Sequence, residues 1–211
     1  MTIKKLFIAN RGEIAVRIIR AAKALNIQTV QGYSEADFNM LPVRMADESI
    51  CIGGSQASKS YLNTDAIISA ALSVEADTIH PGYGFLSESA TFVRAVEAAG
   101  LTFVGPSAEV IERMGDKASA RKTASSLGLP VVPGSEGRIE DINHALRISE
   151  EIGFPIMIKA VAGGGGRGIR IAETACDLER FAKVAQAEAQ AAFGDGGLYL
   201  EKLVSNPRHI E

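Results

Sequence analysis

The stretch Phe-Pro-Ile-Met-Ile-Lys-Ala-Val-Ala-Gly-Gly-Gly-Gly-Arg-Gly, residues 154–168, places a lysine in an apolar strand and a run of glycines just after it. An ammonium group is costly to bury without a partner. Glycines let a backbone approach phosphate groups closely and point its N–H groups at them. The stretch therefore predicts a nucleotide-phosphate site, with Lys159 as the charge and residues 163–168 as a flap. The alternative is an edge-strand lysine that reaches water.

The residues after the glycine run decide what kind of loop it is. Residues 163–168 formally fit G-x-G-x-x-G, but a dinucleotide fold needs a helix to follow, and residues 169–172 alternate like a strand. The run also lacks the G-K-[ST] ending of a Walker loop. We therefore expect a hairpin tip that covers a phosphate. A flexible turn without a ligand is the alternative, although four consecutive glycines are costly in backbone entropy.

Regular elements surround this loop on both sides. Hydrophobic spacing predicts a helix over 142–152, a strand over 155–160, a strand over 169–172, a helix over 174–193 and a strand over 198–203. Thr174 and Gly194 are suited to cap and to end the long helix. Residues 129–138 contain two prolines and two glycines and predict a hinge or linker. This half of the chain therefore predicts an α+β unit.

The first hundred residues show a different pattern. Strands are predicted at 3–9, 27–33, 49–52, 77–80 and 101–104, with helices at 14–25, 64–74 and 92–99. Strand–helix alternation at this spacing predicts an α/β fold, with an open parallel sheet and helices on both faces. A further helical pair is predicted at 107–114 and 116–127, broken by Gly115.

Composition narrows the class of protein. The chain has 211 residues, 46% of them hydrophobic and 22% charged, with a formal net charge of −3 and no tryptophan. No basic surface or set of stacking aromatics indicates nucleic acid, and no apolar run approaches a membrane span. Two distant cysteines, Cys51 and Cys176, favour reduced thiols and a cytoplasmic location, and the N-terminus does not read as a signal peptide.

Two further segments hold candidate binding residues. Lys117 lies at the first turn of a predicted helix, where the helix dipole disfavours a cation and favours an anion; a plain surface lysine is the alternative. Residues 80–85, His-Pro-Gly-Tyr-Gly-Phe, follow a predicted parallel strand at the edge where open α/β sheets bind ligands; a tight turn is the alternative. The three histidines show no metal-ligand spacing, so no metal site is predicted within the chain.

Six motifs fall in the order seen in one known family. They are IANRGEIA at 8–15, HPGYGFLSE at 80–88, MGDK at 114–117, KAVAGGGGRG at 159–168, EK at 201–202 and NPRHIE at 206–211. Together they make the chain resemble the biotin carboxylases, a family of ATP-grasp ligases, along its whole length. Members of that family use ATP to activate bicarbonate as carboxyphosphate, and then carboxylate biotin tethered to a carrier protein.

The resemblance implies a role for each matching residue. The implied ATP-binding residues are Lys117 and Lys159 at the phosphates, Gly163, Gly164, Gly165 and Gly166 as the flap, Glu201, Lys202 and Leu203 as the hinge at adenine, and His209 near the ribose. Tyr83 and Gly84 are implied to form part of the wall facing biotin. The implied cofactors are ATP and Mg²⁺, with carrier-bound biotin as substrate. Arg167 stands where the family often has lysine, and either cation suits a phosphate.

The resemblance also implies an organisation and partners. Residues 1–130 would form the N-terminal domain with a helical connector, 131–203 the lid of the ATP-grasp unit and 204–211 the start of a C-terminal subdomain. The family's magnesium carboxylates, bicarbonate-binding arginine and catalytic base would lie beyond Glu211, so we predict no catalytic residue in this chain and no turnover from it alone. The implied partners are a biotin carboxyl carrier protein or domain, a carboxyltransferase and a second copy in a homodimer.

Two other functions stay open at this point. Another bicarbonate-activating ATP-grasp ligase, of the carbamoyl-phosphate synthetase type, would share the nucleotide motifs and use ammonia in place of biotin. A non-catalytic module that supplies a subunit interface would need no nucleotide. Acetyl-CoA carboxylase, an enzyme of fatty acid biosynthesis, is one of several biotin-dependent carboxylases that share this module, and the sequence does not distinguish between their acyl acceptors.

Overall fold

A computed structural model of the chain describes residues 2–115, 117–161 and 169–208, without the side chains of Lys117, Ala118 and Phe193. The chain divides into two compact units, Met1–Asp116 and Lys117–Glu211. The finer division, at residues 130 and 203, stays a prediction.

The first unit is built on a five-stranded parallel sheet. Its strands are β1 (Lys5–Ile8), β2 (Gln28–Ser34), β3 (Glu48–Gly53), β4 (Thr78–His80) and β5 (Thr102–Phe103). They lie in the order β3-β2-β1-β4-β5, and every pair is parallel. The order reverses at β1, which makes the carboxyl ends of β1 and β4 the place where an open α/β sheet can bind a ligand.

Helices cover both faces of this sheet. They are α1 (Gly12–Ala24), α2 (Leu41–Met45), α3 (Thr64–Ser73), α4 (Ala90–Ala98) and α5 (Ala108–Gly115). Alternation along β1 sends Phe7 into the core under α3 and α4, and Ile8 into the core under α1. The predicted α/β fold is therefore confirmed. The prediction missed α2, because five residues are too few to show a helical period.

The second unit packs two of its helices on one face of a small antiparallel sheet. Its elements are α6 (Lys117–Ser126), α7 (Ile142–Ile152), β6 (Ile156–Ala160), β7 (Arg170–Ala172), α8 (Ala175–Phe193) and β8 (Leu198–Lys202). The strand order is β7-β6-β8. Thr174 caps α8 by accepting from the Asp177 N–H, and Gly194 ends it in the left-handed conformation, as predicted.

Two predictions about this unit have different outcomes. The pairing of Ile156 with Ala172 and of Ile158 with Arg170 is antiparallel, which agrees with a hairpin; the loop between them, 162–168, lies outside the described residues. The segment predicted as a linker, 129–138, contains no helix or strand, but residues 133–139 are hydrogen-bonded to the sheet. This segment runs along β8, with backbone hydrogen bonds of 2.7 to 2.9 Å to Lys202, Leu200 and Leu198. Proline and glycine signalled a break in regular structure, but the backbone groups there still needed partners.

In the described ranges, no helix combines the length and the apolar character needed to cross a membrane. The same ranges contain no group of three or more His, Cys, Asp or Glu placed to hold a metal ion. Cys51 and Cys176 are both free and exposed.

Candidate functional site

The sheet of the second unit has one covered face and one open face. Alternate residues of β6 and β8 pack against α7 and α8, so the residues between them point the other way. The open face carries Met157, Lys159, Ile171, Tyr199 and Glu201. The strand register places Met157 beside Glu201 and Lys159 beside Tyr199. This face offers an apolar platform with charged groups at its edge, which suits a ligand that has a flat apolar part and a charged part.

Lys159 has an acidic partner on the open face. Its Nζ forms an ion pair with Glu201 Oε2 and lies 5.8 Å from the centroid of the Tyr199 ring. The side chains of Lys159 and Glu201 are 22% and 18% exposed, so water still screens the pair in part. The partner that this partly buried position favours is therefore supplied within the chain, and an incoming anion would have to compete with Glu201 for Lys159.

A second cation shares the same carboxylate. Arg121, on α6, places its Nη1 3.6 Å from Glu201 Oε1 and donates a 2.7 Å hydrogen bond to the Val132 carbonyl. Lys159 and Arg121 thus approach different oxygens of Glu201. Two cations around one carboxylate carry a net positive charge, which favours an anionic ligand. Sequence reasoning missed Arg121; the local signal that could have found it is its position four residues after Lys117, on the same predicted helix.

The side chain of Lys202, the next predicted hinge residue, lies on the opposite face of the strand from Glu201. The Lys202 ammonium donates to the carbonyls of Gly153 and Phe154, at 3.0 and 2.6 Å, just beyond the end of α7. The backbone N–H groups of Lys202 and Leu203 donate to Pro133 and Pro155. Adenine could bind to these two N–H groups only if their hydrogen bonds to Pro133 and Pro155 were broken first.

Several predicted ATP residues cannot be placed. The side chain of Lys117, the flap residues Gly163, Gly164, Gly165 and Gly166, and His209 lie outside the described residues. The backbone places Lys117 in the first turn of α6, as the sequence predicts. Their roles at a nucleotide stay predictions.

The first unit has a second candidate site, at the carboxyl ends of β1 and β4. Asn10, which is 3% exposed, donates from Nδ2 to the carbonyls of Pro81 and Tyr83 at 2.6 and 2.7 Å. Gly82, with φ of +65°, lies against this amide: a Cβ added there would be 2.7 Å from Nδ2. Asn10 therefore holds the loop that carries Tyr83 and Gly84, and the loop can pass so closely only because residue 82 is glycine.

At the other end of the same loop, an aromatic ring packs on a tyrosine that belongs to a cluster of charged side chains. Phe85 stacks on Tyr61, with ring centroids 5.0 Å apart and planes at 17°. The Tyr61 hydroxyl donates to Asp37, which also accepts two bonds from Arg11 at 2.6 and 2.9 Å. The bond from the Arg11 guanidinium lowers the pKa of Asp37 to about 2, while burial raises the pKa of Tyr61 to about 12. Asp37 stays ionised and Tyr61 stays protonated near neutrality.

His80 belongs to the frame of this loop. Its Nδ1 accepts a 3.0 Å hydrogen bond from the Gly82 N–H, and burial lowers the pKa of its imidazole. It is therefore neutral near pH 7. Tyr83, by contrast, is 61% exposed, so its ring lies at the surface. The predicted residues Tyr83 and Gly84 thus sit on a well-supported loop, and Asn10, Asp37 and Tyr61 are the supports that sequence reasoning did not identify.

Comparison with known families assigns both units. Residues 2–111 match the biotin carboxylase, N-terminal domain. Residues 116–211 match the ATP binding domain of the carbamoyl-phosphate synthase L chain. These two matches divide the chain close to the boundary between its two compact units.

Individual relatives extend over nearly the whole chain. Biotin carboxylase 1 of Bacillus subtilis is 54% identical over 209 residues, which cover 99% of this chain and 46% of that protein. The Campylobacter jejuni biotin carboxylase–β,γ-ATP complex is 48% identical with a TM-score of 0.87, and the match covers 98% of this chain and 46% of that one.

A third relative is a domain of a larger carboxylase. The biotin carboxylase domain dimer of Hydrogenobacter thermophilus 2-oxoglutarate carboxylase was solved with MgADP, ADP and bicarbonate. It is 49% identical with a TM-score of 0.83, and the match covers 98% of this chain and 45% of that one. The chain thus spans about half the length of the relatives it matches.

The fold and the comparisons agree. The parallel sheet with helices on both faces and the antiparallel unit after it are both present in solved biotin carboxylases, so the predicted fold class is confirmed for both halves. The N-terminal domain match alone covers more than half of the 211 residues. On these grounds, the chain belongs to the biotin carboxylase family.

Proposed function

We propose that the full-length natural protein is an ATP-dependent biotin carboxylase, and that this chain supplies part of its nucleotide site. The observation that carries the proposal is the open face of the second unit, where Lys159 and Arg121 surround Glu201 beside the stem of the glycine hairpin. The family match and the nucleotide complexes of the relatives support it. The reaction would be carboxylation of carrier-bound biotin by bicarbonate, through carboxyphosphate.

Lys159 is proposed to bind the ATP phosphates and to offset the charge that develops on the transferred phosphoryl group. Lys117, at the start of α6, and the glycines 163–166 are proposed to act at the same phosphates. Met157 and Ile171, on the open face, would contact the adenine base. Glu201 would accept a hydrogen bond from the adenine amino group. His209 is proposed to lie near the ribose.

Biotin and bicarbonate set further requirements. Bicarbonate is a weak nucleophile and carboxyphosphate hydrolyses readily, so the reactants must be held together without water. A hairpin that closes over the phosphates would exclude water. Tyr83 and Gly84 are proposed to contact biotin, and the bonds from Asn10 to their loop support a fixed position for it.

Magnesium is part of the family's chemistry, and the Hydrogenobacter complex contains MgADP. Glu201, the carboxylate on the open face, is already shared by two cations. No described group of three acidic, histidine or cysteine side chains is placed to bind a metal. The described residues therefore do not fit a magnesium site, and we assign no step of the reaction to the metal here. The prediction that its ligands come from another part of the protein stays open.

Partners follow from the same proposal. Carboxybiotin must pass its carboxyl group to an acceptor, so a biotin carboxyl carrier protein or domain and a carboxyltransferase are the expected partners. The Hydrogenobacter domain is a dimer, which supports a homodimer for this protein as well. A cytoplasmic location is proposed with these partners.

The match of residues 116–211 to a carbamoyl-phosphate synthase domain favours one alternative, a ligase that passes activated bicarbonate to ammonia. The assay that separates the two follows ATP hydrolysis by the full-length natural protein with bicarbonate. Free biotin should stimulate hydrolysis and ammonia should not; the reverse result would replace the proposal with the alternative. The 211-residue chain alone is predicted not to turn over in the same assay.

Lys159→Ala in the full-length protein should reduce ATP hydrolysis by about a hundredfold or more, because one charged contact to the developing phosphoryl charge is lost. Lys183→Ala is the matched control: Lys183 is an exposed lysine on α8, in the same unit, and it should leave the rate unchanged. ATP hydrolysis at the wild-type rate by Lys159→Ala would show that the open face is not the nucleotide site.

A further inference from the structure

Glu201 is in contact with two cations, and only one of them is implied to bind phosphate. Lys159 approaches Oε2, whereas Arg121 lies 3.6 Å from Oε1 and is also tied to the Val132 carbonyl at 2.7 Å. The three side chains are between 18% and 26% exposed, so their charges are only partly screened by water. A phosphate group that binds Lys159 would therefore leave Glu201 with only one of its two cations.

The consequence depends on what remains beside Glu201. A carboxylate this close to a sheet surface is costly to leave without a counter-charge. Arg121 is already in place beside Glu201 and is anchored by a second acceptor, the Val132 carbonyl. Glu201 can therefore release Lys159 and keep a cation beside it.

We propose that Arg121 is a positioning residue of the nucleotide site, which holds Glu201 and thereby frees Lys159 for the phosphates of ATP. This inference rests on the proposed function. Without Arg121, Glu201 would bind Lys159 alone, and ATP would have to compete against the whole of that ion pair. Arg121 acts on nucleotide affinity through Glu201 and makes no contact with the reacting atoms.

The test measures ATP affinity by calorimetry on the full-length protein. Arg121→Gln removes the charge but keeps an N–H donor for the Val132 carbonyl, so the fold has a substitute for the lost bond. It should weaken ATP binding by about three- to tenfold, with kcat at saturating ATP unchanged within about twofold. Arg121→Lys, which keeps the charge, should recover most of the affinity. Equal affinity of wild type and Arg121→Gln would overturn the inference.

A double-mutant cycle separates action through Glu201 from direct attraction of ATP. In a Glu201→Gln background there is no carboxylate to hold, so Arg121→Gln should change ATP affinity by less than about twofold. The same three- to tenfold loss in both backgrounds would mean that Arg121 acts on the nucleotide directly, which contradicts the proposal.

Two controls complete the design. Arg138→Gln removes an arginine of the same unit that pairs with Asp195 away from the open face, and it should leave ATP affinity unchanged. Lys159→Ala tests the underlying site: if it binds ATP as tightly as wild type, the proposed function fails. If Lys159→Ala weakens binding and Arg121→Gln does not, only the role of Arg121 is refuted.

Discussion

At the carboxyl edge of the five-stranded sheet, Asn10 directs its amide at two backbone carbonyls and is almost wholly buried. On the open face of the three-stranded sheet, Lys159 and Arg121 share one carboxylate and remain in contact with water. In the first region, the Asn10 amide already donates to backbone carbonyls of the loop that carries Tyr83, so ligand binding need not rearrange it. The second can change partners when an anion arrives.

This difference fits the chemistry proposed for each region. A loop that positions a neutral ring system gains from rigidity, because a fixed surface needs no reorganisation on binding. A site for a highly charged triphosphate needs cations, and when the site is empty these cations need an anionic partner that they can release. Glu201 is such a partner for Lys159. Mutations should therefore affect the first region mainly through stability and the second mainly through affinity.

The largest effect on stability is expected from Asp37→Asn. The carboxylate of Asp37 accepts from Arg11, Ser34 and Tyr61, and the replacement leaves the Arg11 guanidinium without its anion. We expect a loss of about 2–3 kcal/mol in the free energy of unfolding. This is below the range for fully buried ion pairs, because the Arg11 side chain is 42% exposed. Urea unfolding of the full-length protein would measure it, and ATP affinity should stay within about twofold.

The pH dependence provides an independent check of the same cluster. The pKa of Asp37 falls from its ordinary 3.8 to about 2 on folding. Its contribution, about 2 kcal/mol, is therefore fully present above about pH 4 and is lost as the pH falls through 2. Asp37→Asn should remove this part of the acid dependence. An identical acid slope in both proteins would show that the cluster does not hold Asp37 ionised.

A smaller effect, with a close control, is expected at the two glycines of the loop. Gly82→Ala combines a positive φ with a Cβ 2.7 Å from the Asn10 amide, whereas Gly84→Ala, at φ of +66°, meets nothing within 4 Å. Backbone strain should cost each variant about 1 kcal/mol. Displacement of Asn10 should cost Gly82→Ala about 1–2 kcal/mol more. Equal unfolding free energies for the two variants would show that Asn10 does not hold the loop.

Features that show within a short stretch of sequence could be predicted. Lys159 stood out because a charge interrupts an apolar strand, and the hairpin could be predicted because residues 169–172 alternate. The strands and longer helices were visible through their periods, but the five residues of α2 were too few. Residues 129–138 looked like a linker, although the segment 133–139 forms backbone hydrogen bonds to β8.

The missing parts of the site depend on partners far along the chain. Asn10 bonds to a carbonyl 71 residues away, and Arg121 meets Glu201 only because α6 and β8 come together in the fold. Neither hydrophobic periodicity nor a motif in a single sequence indicates a contact between residues so far apart in the chain. Lys159 therefore stood out in the sequence, whereas Asn10 and Arg121, which bond to distant partners, did not.

The smallest expected effect distinguishes two lysines that lie on opposite faces of the same sheet. Lys202 donates to two carbonyls near the end of α7, where the helix dipole favours a cation, so Lys202→Met should lower the free energy of unfolding by about 1 kcal/mol. Its ammonium is directed away from the open face, and ATP affinity should change by less than about twofold. Lys159→Met should do the opposite, with weaker ATP binding and little change in stability, because partly exposed ion pairs contribute about 0–1 kcal/mol. Calorimetry and urea unfolding on both variants would check the pair. If Lys202→Met weakened ATP binding as much as Lys159→Met, the ammonium of Lys202 would belong to the nucleotide site, and the two faces of the sheet would not divide structure from function.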